Sequence, residues 1–280
     1  MHERELFDET LDINSTDNYE ISIQVSLDGF SFCILDTLRK RFVMLREYRL
    51  TPRADRQCDQ VLDIINNDEF LSRHFRRYRI IFSSAQTTLV PSGLYDPALK
   101  DDYFRINYRL EEGHIISNNR LNEPDAFLLF DVNRELLDLL VTAFPEASLS
   151  HNVRALLFGG FRQSAGSGAR YIHINIEDNY FNLFIIEDKK LSFINSFKYR
   201  NSSDILYYML HTFEQLGVTK DATVWVSGRI EKFDELHNNM SRYVKKIRFA
   251  APAGPNALSY IFDTIGTHRY LALFNITSCA

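Results

Sequence analysis

Ile21-Ser-Ile-Gln-Val-Ser-Leu27 runs into Asp28-Gly29 and then into Phe30-Ser-Phe-Cys-Ile-Leu35. The first run alternates apolar and polar residues, the period of a strand with one buried face. Asp-Gly suits a tight reversal because glycine accepts positive φ, so the second run is expected to return antiparallel to the first. A turn around Leu38-Arg39-Lys40 leads into a third strand, Arg41 to Leu50. Cys58, Val61, Leu62 and Ile65 then fall at i, i+3, i+4 and i+7, one face of a helix that Asp55 is placed to cap. Arg79-Ile-Ile-Phe-Ser-Ser84 closes the unit as a fourth strand, in the order β-β-β-α-β.

The second half of the chain has the same order. A shift of 149 residues places Ile23, Val25 and Leu27 on Ile172, Ile174 and Ile176, Phe32 and Ile34 on Phe181 and Leu183, and the turn acid Asp28 on Glu177. The same shift carries Phe42, Met44, Leu45 and Tyr48 onto Leu191, Phe193, Ile194 and Phe197, and the cap Asp55 onto Asp204. The helix slips to a shift of 148, where Leu206, Met209, Leu210 and Phe213 match the first helical face. Gly217 supplies a helix stop, and Thr223-Val-Trp-Val-Ser-Gly228 the fourth strand. One register across so many elements reads as an internal duplication.

The remaining segments complete the lobes. A short helix is expected between Asp96 and Arg109, a strand through Phe127 to Phe130, and a helix from Arg134 to Phe144 capped by Asn133 and stopped by Pro145. A strand near Ala147 and a helix from His151 lead to Gln163-Ser-Ala-Gly-Ser-Gly168, a flexible link. The expected organisation is a polar, disordered tail over 1–20, a first lobe over 21–165 and a second over 166–280. The final Tyr270-Leu-Ala-Leu-Phe274 is apolar enough to pack back on the first lobe.

Composition sets the outer bounds. The 280 residues are 45% hydrophobic and 25% charged, with 22 Phe and 14 Tyr, which describes a folded chain with a sizeable core. A net charge of −5 is too mild to advertise a nucleic acid or an anionic membrane as partner. The three cysteines, Cys33, Cys58 and Cys279, include no Cys-x-x-Cys pair, so neither a disulfide framework nor a zinc site is suggested and a reducing cytoplasm is the expected setting. No run approaches the roughly 18 apolar residues of a membrane span.

Two lobes of this order resemble the superfamily of actin, the sugar kinases and the heat-shock chaperone ATPases. Phe127-Leu-Leu-Phe-Asp-Val-Asn-Arg-Glu-Leu-Leu-Asp-Leu-Leu140 resembles the matching part of the bacterial PilM pilus-assembly group. The Ile21 to Leu50 region and His268-Arg-Tyr-Leu-Ala-Leu-Phe274 most resemble an uncharacterised bacterial family of actin-like proteins, a domain of unknown function. The resemblance implies an α/β, actin-like ATPase (ribonuclease H-like) fold, with two duplicated βββαβα lobes around an interlobe nucleotide cleft. In that superfamily each lobe's first hairpin carries Asp-x-Gly and a small hydroxyl residue. Glycine lets backbone N–H groups approach phosphate oxygens while the carboxylate orients hydrated Mg²⁺.

This sequence departs from all three signatures. The first loop is Asp28-Gly29-Phe30-Ser31, with glycine one place early. The second, Glu177-Asp178-Asn179-Tyr180, has no glycine, and Val226-Ser227-Gly228-Arg229 keeps one glycine of the adenosine-side pair. The candidate cleft residues are therefore Asp28, Gly29, Phe30, Ser31, Glu177, Asp178, Asn179, Ser227, Gly228 and Arg229. No catalytic residue and no metal ligand is assigned. His173 reads as a partly exposed strand residue, and His268 as a core or surface one. The reading is a cytoplasmic, non-catalytic or weakly active actin-like protein that binds another protein as a scaffold, with a degenerate nucleotide cleft and no cofactor. A second reading is a Mg²⁺-dependent ATP-binding ATPase or phosphotransferase, with Asp28 and Glu177 around the metal. A third is an RNA-associated accessory factor. Between Arg39 and Arg79 eleven basic residues face six acids, and Arg73, Arg76 and Arg77, placed near a helix C-terminus, form its candidate basic face.

Overall fold

The computed structural model describes residues 2–165 and 170–279. The chain divides into two compact units, one formed by residues 1–155, 254–265 and 272–280, the other by 156–253 and 266–271. The first unit opens with β1 (Arg4–Phe7), β2 (Tyr19–Val25), β3 (Gly29–Asp36), β4 (Arg41–Arg49), α1 (Ala54–Asn67) and β5 (Arg77–Phe82). It continues through β6 (Thr87–Pro91), α2 (Lys100–Arg105), β7 (His114–Leu121), β8 (Ala126–Asn133), α3 (Arg134–Ala143) and β9 (Ser148–His151). Helix α4 (Asn152–Ser164) follows, so the expected boundary after residue 165 falls instead within a continuous helix, at 155/156. Of the expected link, Gln163 and Ser164 are helical, while Gly166-Ser167-Gly168 lies outside the described residues. The second unit is built from β10 (Tyr171–Ile176), β11 (Tyr180–Glu187), β12 (Lys190–Lys198), α5 (Ser202–Gln215), β13 (Thr223–Gly228), α6 (Glu235–Ser241) and β14 (Lys246–Phe249). Short β15 (Ala257–Leu258) and α7 (Leu271–Ile276) end the chain.

The first sheet runs β1-β4-β3-β2-β5-β9, with β15 also on β4, and the second runs β12-β11-β10-β13-β14. Strands β2, β5 and β9 are mutually parallel, as are β10, β13 and β14, and the hairpins flank them antiparallel. The alternation seen in sequence is the cause. Ile172, Ile174, Ile176, Phe181, Leu183 and Ile185 point to one face, where Met209 and Phe213 of α5 and Met240 of α6 close the core. Each such buried side chain is worth about 1.5–3 kcal/mol.

Three local readings change. The expected tail over 1–20 contains β1, which pairs with β4 from Arg4↔Glu47 to Phe7↔Met44. Its polar residues concealed a strand because they pair across the ladder: Glu5 reaches buried Arg46 at 3.0 Å, and Arg46 also holds Asp68 at 2.7 Å. Helix α1 starts at Ala54 after Arg53, and Asp55 pairs with Arg53 at 2.9 Å rather than capping. Asn201 caps α5 through the N–H groups of Ser203 and Asp204. Asn133 caps α3 as expected, accepting from Leu136 N–H at 3.1 Å. Strands β6, β8 and β7 form a separate three-stranded sheet beside α2.

Candidate functional site

The two first hairpins are aligned by their hydrogen bonds. Ser26 N–H donates to Gly29 O at 2.9 Å and Leu50 N–H to Asp28 O at 2.8 Å. Their counterparts are Glu177 N–H to Tyr180 O at 2.9 Å and Tyr199 N–H to Asn179 O at 3.0 Å. Ser26-Leu27-Asp28-Gly29 thus corresponds to Glu177-Asp178-Asn179-Tyr180, a shift of 151, and Asp28 matches Asn179, not Glu177. The third strands keep 149, because the turn before β4 has four residues, Thr37–Lys40, and that before β12 two, Asp188-Lys189. Both φ values of Asp188-Lys189 are positive, the geometry of a tight hairpin. Strands β4 and β12 carry one extra residue at matching places, Val43 opposite Ile34/Leu35 and Ser192 opposite Ile185/Ile186. An error of two residues is invisible to a pattern whose period is two.

In the first hairpin Leu27 and Asp28 make the reversal, while Gly29 opens β3 opposite Arg49 and is not among the positive-φ glycines. Ser26 Oγ donates to Asp28 Oδ1 at 2.8 Å. Phe30 is fully buried against Tyr48, with ring centroids 6.3 Å apart, so it fills the core and not a phosphate space. Ser31 sits in the sheet opposite Glu47.

In the second unit Gly228 ends β13 at φ +79, and a Cβ there would lie 2.0 Å from Ile176 O. That approach lets Arg229 N–H donate to Ile176 O at 2.7 Å and brings Arg229 Nε within 2.8 Å of Asp178 Oδ1. Tyr180 is buried, and Asn179 is exposed at the turn. Ser227, a candidate cleft residue, is completely buried within β13. It belongs to a polar chain with a defined direction. Glu177 Oε1 accepts from Asn175 Nδ2 at 2.8 Å, which turns Asn175 Oδ1 toward Ser227 Oγ at 2.6 Å. Ser227 therefore accepts from His173 Nε2 at 2.7 Å, and His173 Nδ1 lies 2.9 Å from the Tyr171 hydroxyl, which also meets Gln163 Oε1 at 3.1 Å. His173 is wholly buried, not partly exposed, and burial pushes its pKa down to about 3. The signal in sequence is the run Tyr171, His173, Asn175 on alternate positions, opposite the three isoleucines.

The first unit holds a second polar group. Ser84 N–H donates to His151 Nε2 at 3.1 Å, Ser84 Oγ lies 3.4 Å from Asp131 Oδ1, and Asp131 Oδ2 lies 2.9 Å from His114 Nδ1. Burial lowers His151 to about 3. Glu111, 4.0 Å from His114, also lines a surface pocket of about 570 Å³ with Gln86, Arg109 and Glu112. These residues come from four separate segments, so no spacing in the sequence announces them.

Arg73 and Arg76 lie in the connection after α1 and Arg77 opens β5, six or more residues past the helix end, so no helix dipole explains them. All three are exposed and are interleaved with acids: Arg77 lies 3.7 Å from Glu20, and neighbouring His74 3.1 Å from Asp17. His268 is buried, its Nε2 2.7 Å from Ile230 O.

Two solved structures share this architecture. A protein of unknown function with an actin-like ATPase fold from Bacteroides thetaiotaomicron is 20% identical with a TM-score of 0.79, over 86% of this chain and 93% of its own. The PilM-PilN type IV pilus biogenesis complex matches at 10% identity and a TM-score of 0.62, over 92% of this chain and 98% of that one. The fold is that of the actin-like ATPases. No curated protein matches the sequence. A family described as "Protein of unknown function (DUF3822)" matches residues 8–247.

Proposed function

This chain belongs to the DUF3822 family, and from its second hairpin we infer that it is a cytoplasmic actin-like protein that binds another protein and turns over nucleotide weakly or not at all. The observation that carries this reading is the occupancy of that hairpin by its own side chains. Asp178 is joined to Arg229 at 2.8 Å and Glu177 to Asn175 at 2.8 Å, and Tyr180 stands in the place of Gly29. A hairpin with two carboxylates and no glycine does not suit a phosphate, which needs backbone N–H groups at close approach. The PilM-PilN complex supports a protein partner, as one precedent in which this fold occurs in an assembly. No helix among the described residues is long and apolar enough to cross a membrane.

Titration with Mg²⁺-ATP, followed by calorimetry and thermal shift, tests the reading. The expected outcome is no saturable heat and no stabilisation at millimolar nucleotide. Saturable micromolar binding that Asp28→Ala abolishes would replace it with the ATP-binding reading.

A further inference from the structure

The two sheets end differently on matching edges. Strand β4 is covered twice, by β1 along Met44 to Glu47 and by β15 at Arg41 and Phe42. The matching positions on β12, by the shift of 149, are Phe193 to Ser196 and Lys190 and Leu191. Strand β12 ends its sheet, and no strand among the described residues pairs with its outer edge.

That edge is nine residues long, Lys190–Lys198, and keeps Leu191, Phe193, Ile194 and Phe197 only partly buried. Tyr199 N–H points inward to Asn179 O, so the alternate residues Ile194 and Ser196 turn their N–H and C=O groups outward. The covered edge has the same polarity: Val43 and Glu47 carbonyls accept from Asp8 N–H at 2.9 Å and Glu3 N–H at 2.8 Å. Ser196 N–H meets Asn195 Oδ1 at 2.9 Å, which leaves the Ile194 N–H and the outward carbonyls as the groups that template the addition of a strand.

Charge selects the occupant. Between residues 188 and 200 the edge carries Lys189, Lys190, Lys198 and Arg200 against the single acid Asp188. On the covered edge the added strand matches charge with charge, Glu5 against Arg46 and Arg4 against Glu47. Asp8, at the end of that strand, is held below the usual carboxylate range despite its burial, by hydrogen bonds from Ser259 and Thr10 and by the charge of Arg41. Lys190 is the counterpart of Arg41. A second copy is a poor occupant, because full-length antiparallel pairing of two β12 strands sets Lys190 of each against Lys198 of the other.

We propose that the outer edge of β12 binds an extended segment of a partner protein, antiparallel, with acidic residues at the ends of an alternating apolar core. This goes beyond the scaffold reading and holds whether or not nucleotide binds.

The probe is a peptide of alternating Thr and Val with Glu and Asp at its ends, beside a counterpart ended with Lys. The full chain is followed by hydrogen exchange and by sedimentation. The acidic peptide at millimolar concentration is expected to slow exchange at the Ile194 amide by about tenfold. Ile194→Pro, which removes an outward N–H, abolishes that protection. The double variant Lys190→Glu/Lys198→Glu keeps the fold and exchanges the preference, binding the Lys-ended peptide at least about tenfold better than the acidic one. Three outcomes overturn the proposal: unchanged exchange over 190–198, equal protection by both peptides, or a dimer of the free chain that Ile194→Pro disperses.

Discussion

Gly228 shows how one residue sets the local geometry of the second unit. Its φ of +79 and the 2.0 Å approach of Ile176 O to any added Cβ leave room for no other residue without backbone movement. Gly228→Ala is expected to cost about 3 kcal/mol, from left-handed backbone strain and displaced β10 backbone. Urea unfolding measures the loss, and a change below about 1 kcal/mol would mean the loop relaxes freely. Arg229 would lose its alignment with Asp178, so the same variant should loosen the second hairpin. The glycine was visible in sequence, but its reason was not. An adenosine-side glycine pair was the expected reason, whereas the carbonyl of Ile176 in a parallel neighbour is what demands it.

Among the elements, β1 carries the clearest consequence. It covers half of an edge strand, and its Asp8 binds Ser259 while its Glu5 completes the buried Arg46 pair. A chain lacking residues 2–8 is expected to lose about 3 kcal/mol and to associate through the bared β4 edge. Thermal unfolding and sedimentation at several concentrations check both. A monomer of unchanged stability would show that β1 is dispensable. The hairpins, α3 with its Asn133 cap, α5 and β13 were all legible in sequence, because their periodicity is local. β1 and β7 were not, since charged and amide residues cover their alternation and only pairing with distant strands makes them strands.

For the molecule as a whole, two buried histidines govern acid sensitivity. His151 and His173 are neutral in the folded chain, their pKa values lowered by burial from 6.5 to about 3. The unfolded chain takes up protons below pH 6.5 and the folded chain does not, so stability is full above 6.5 and is lost progressively toward 3. At pH 5 each histidine should cost about 2 kcal/mol, and His173→Gln should remove about half of the combined loss between pH 7 and 5. Urea midpoints across that range measure it, and an unchanged slope in the variant would contradict the assignment. The sequence by itself determined the β-β-β-α-β order shared by the two units, the core face of each first hairpin, and the likeness of the two halves, because side-chain alternation and helical spacing are properties of neighbouring residues. Only the tertiary structure decided the shift of 151 that matches Asp28 to Asn179, the burial of His173 and Ser227, and which sheet edge is covered. Those depend on pairing between residues far apart in the chain, such as Leu258 on Phe42, and a pattern of period two reads the same in either register.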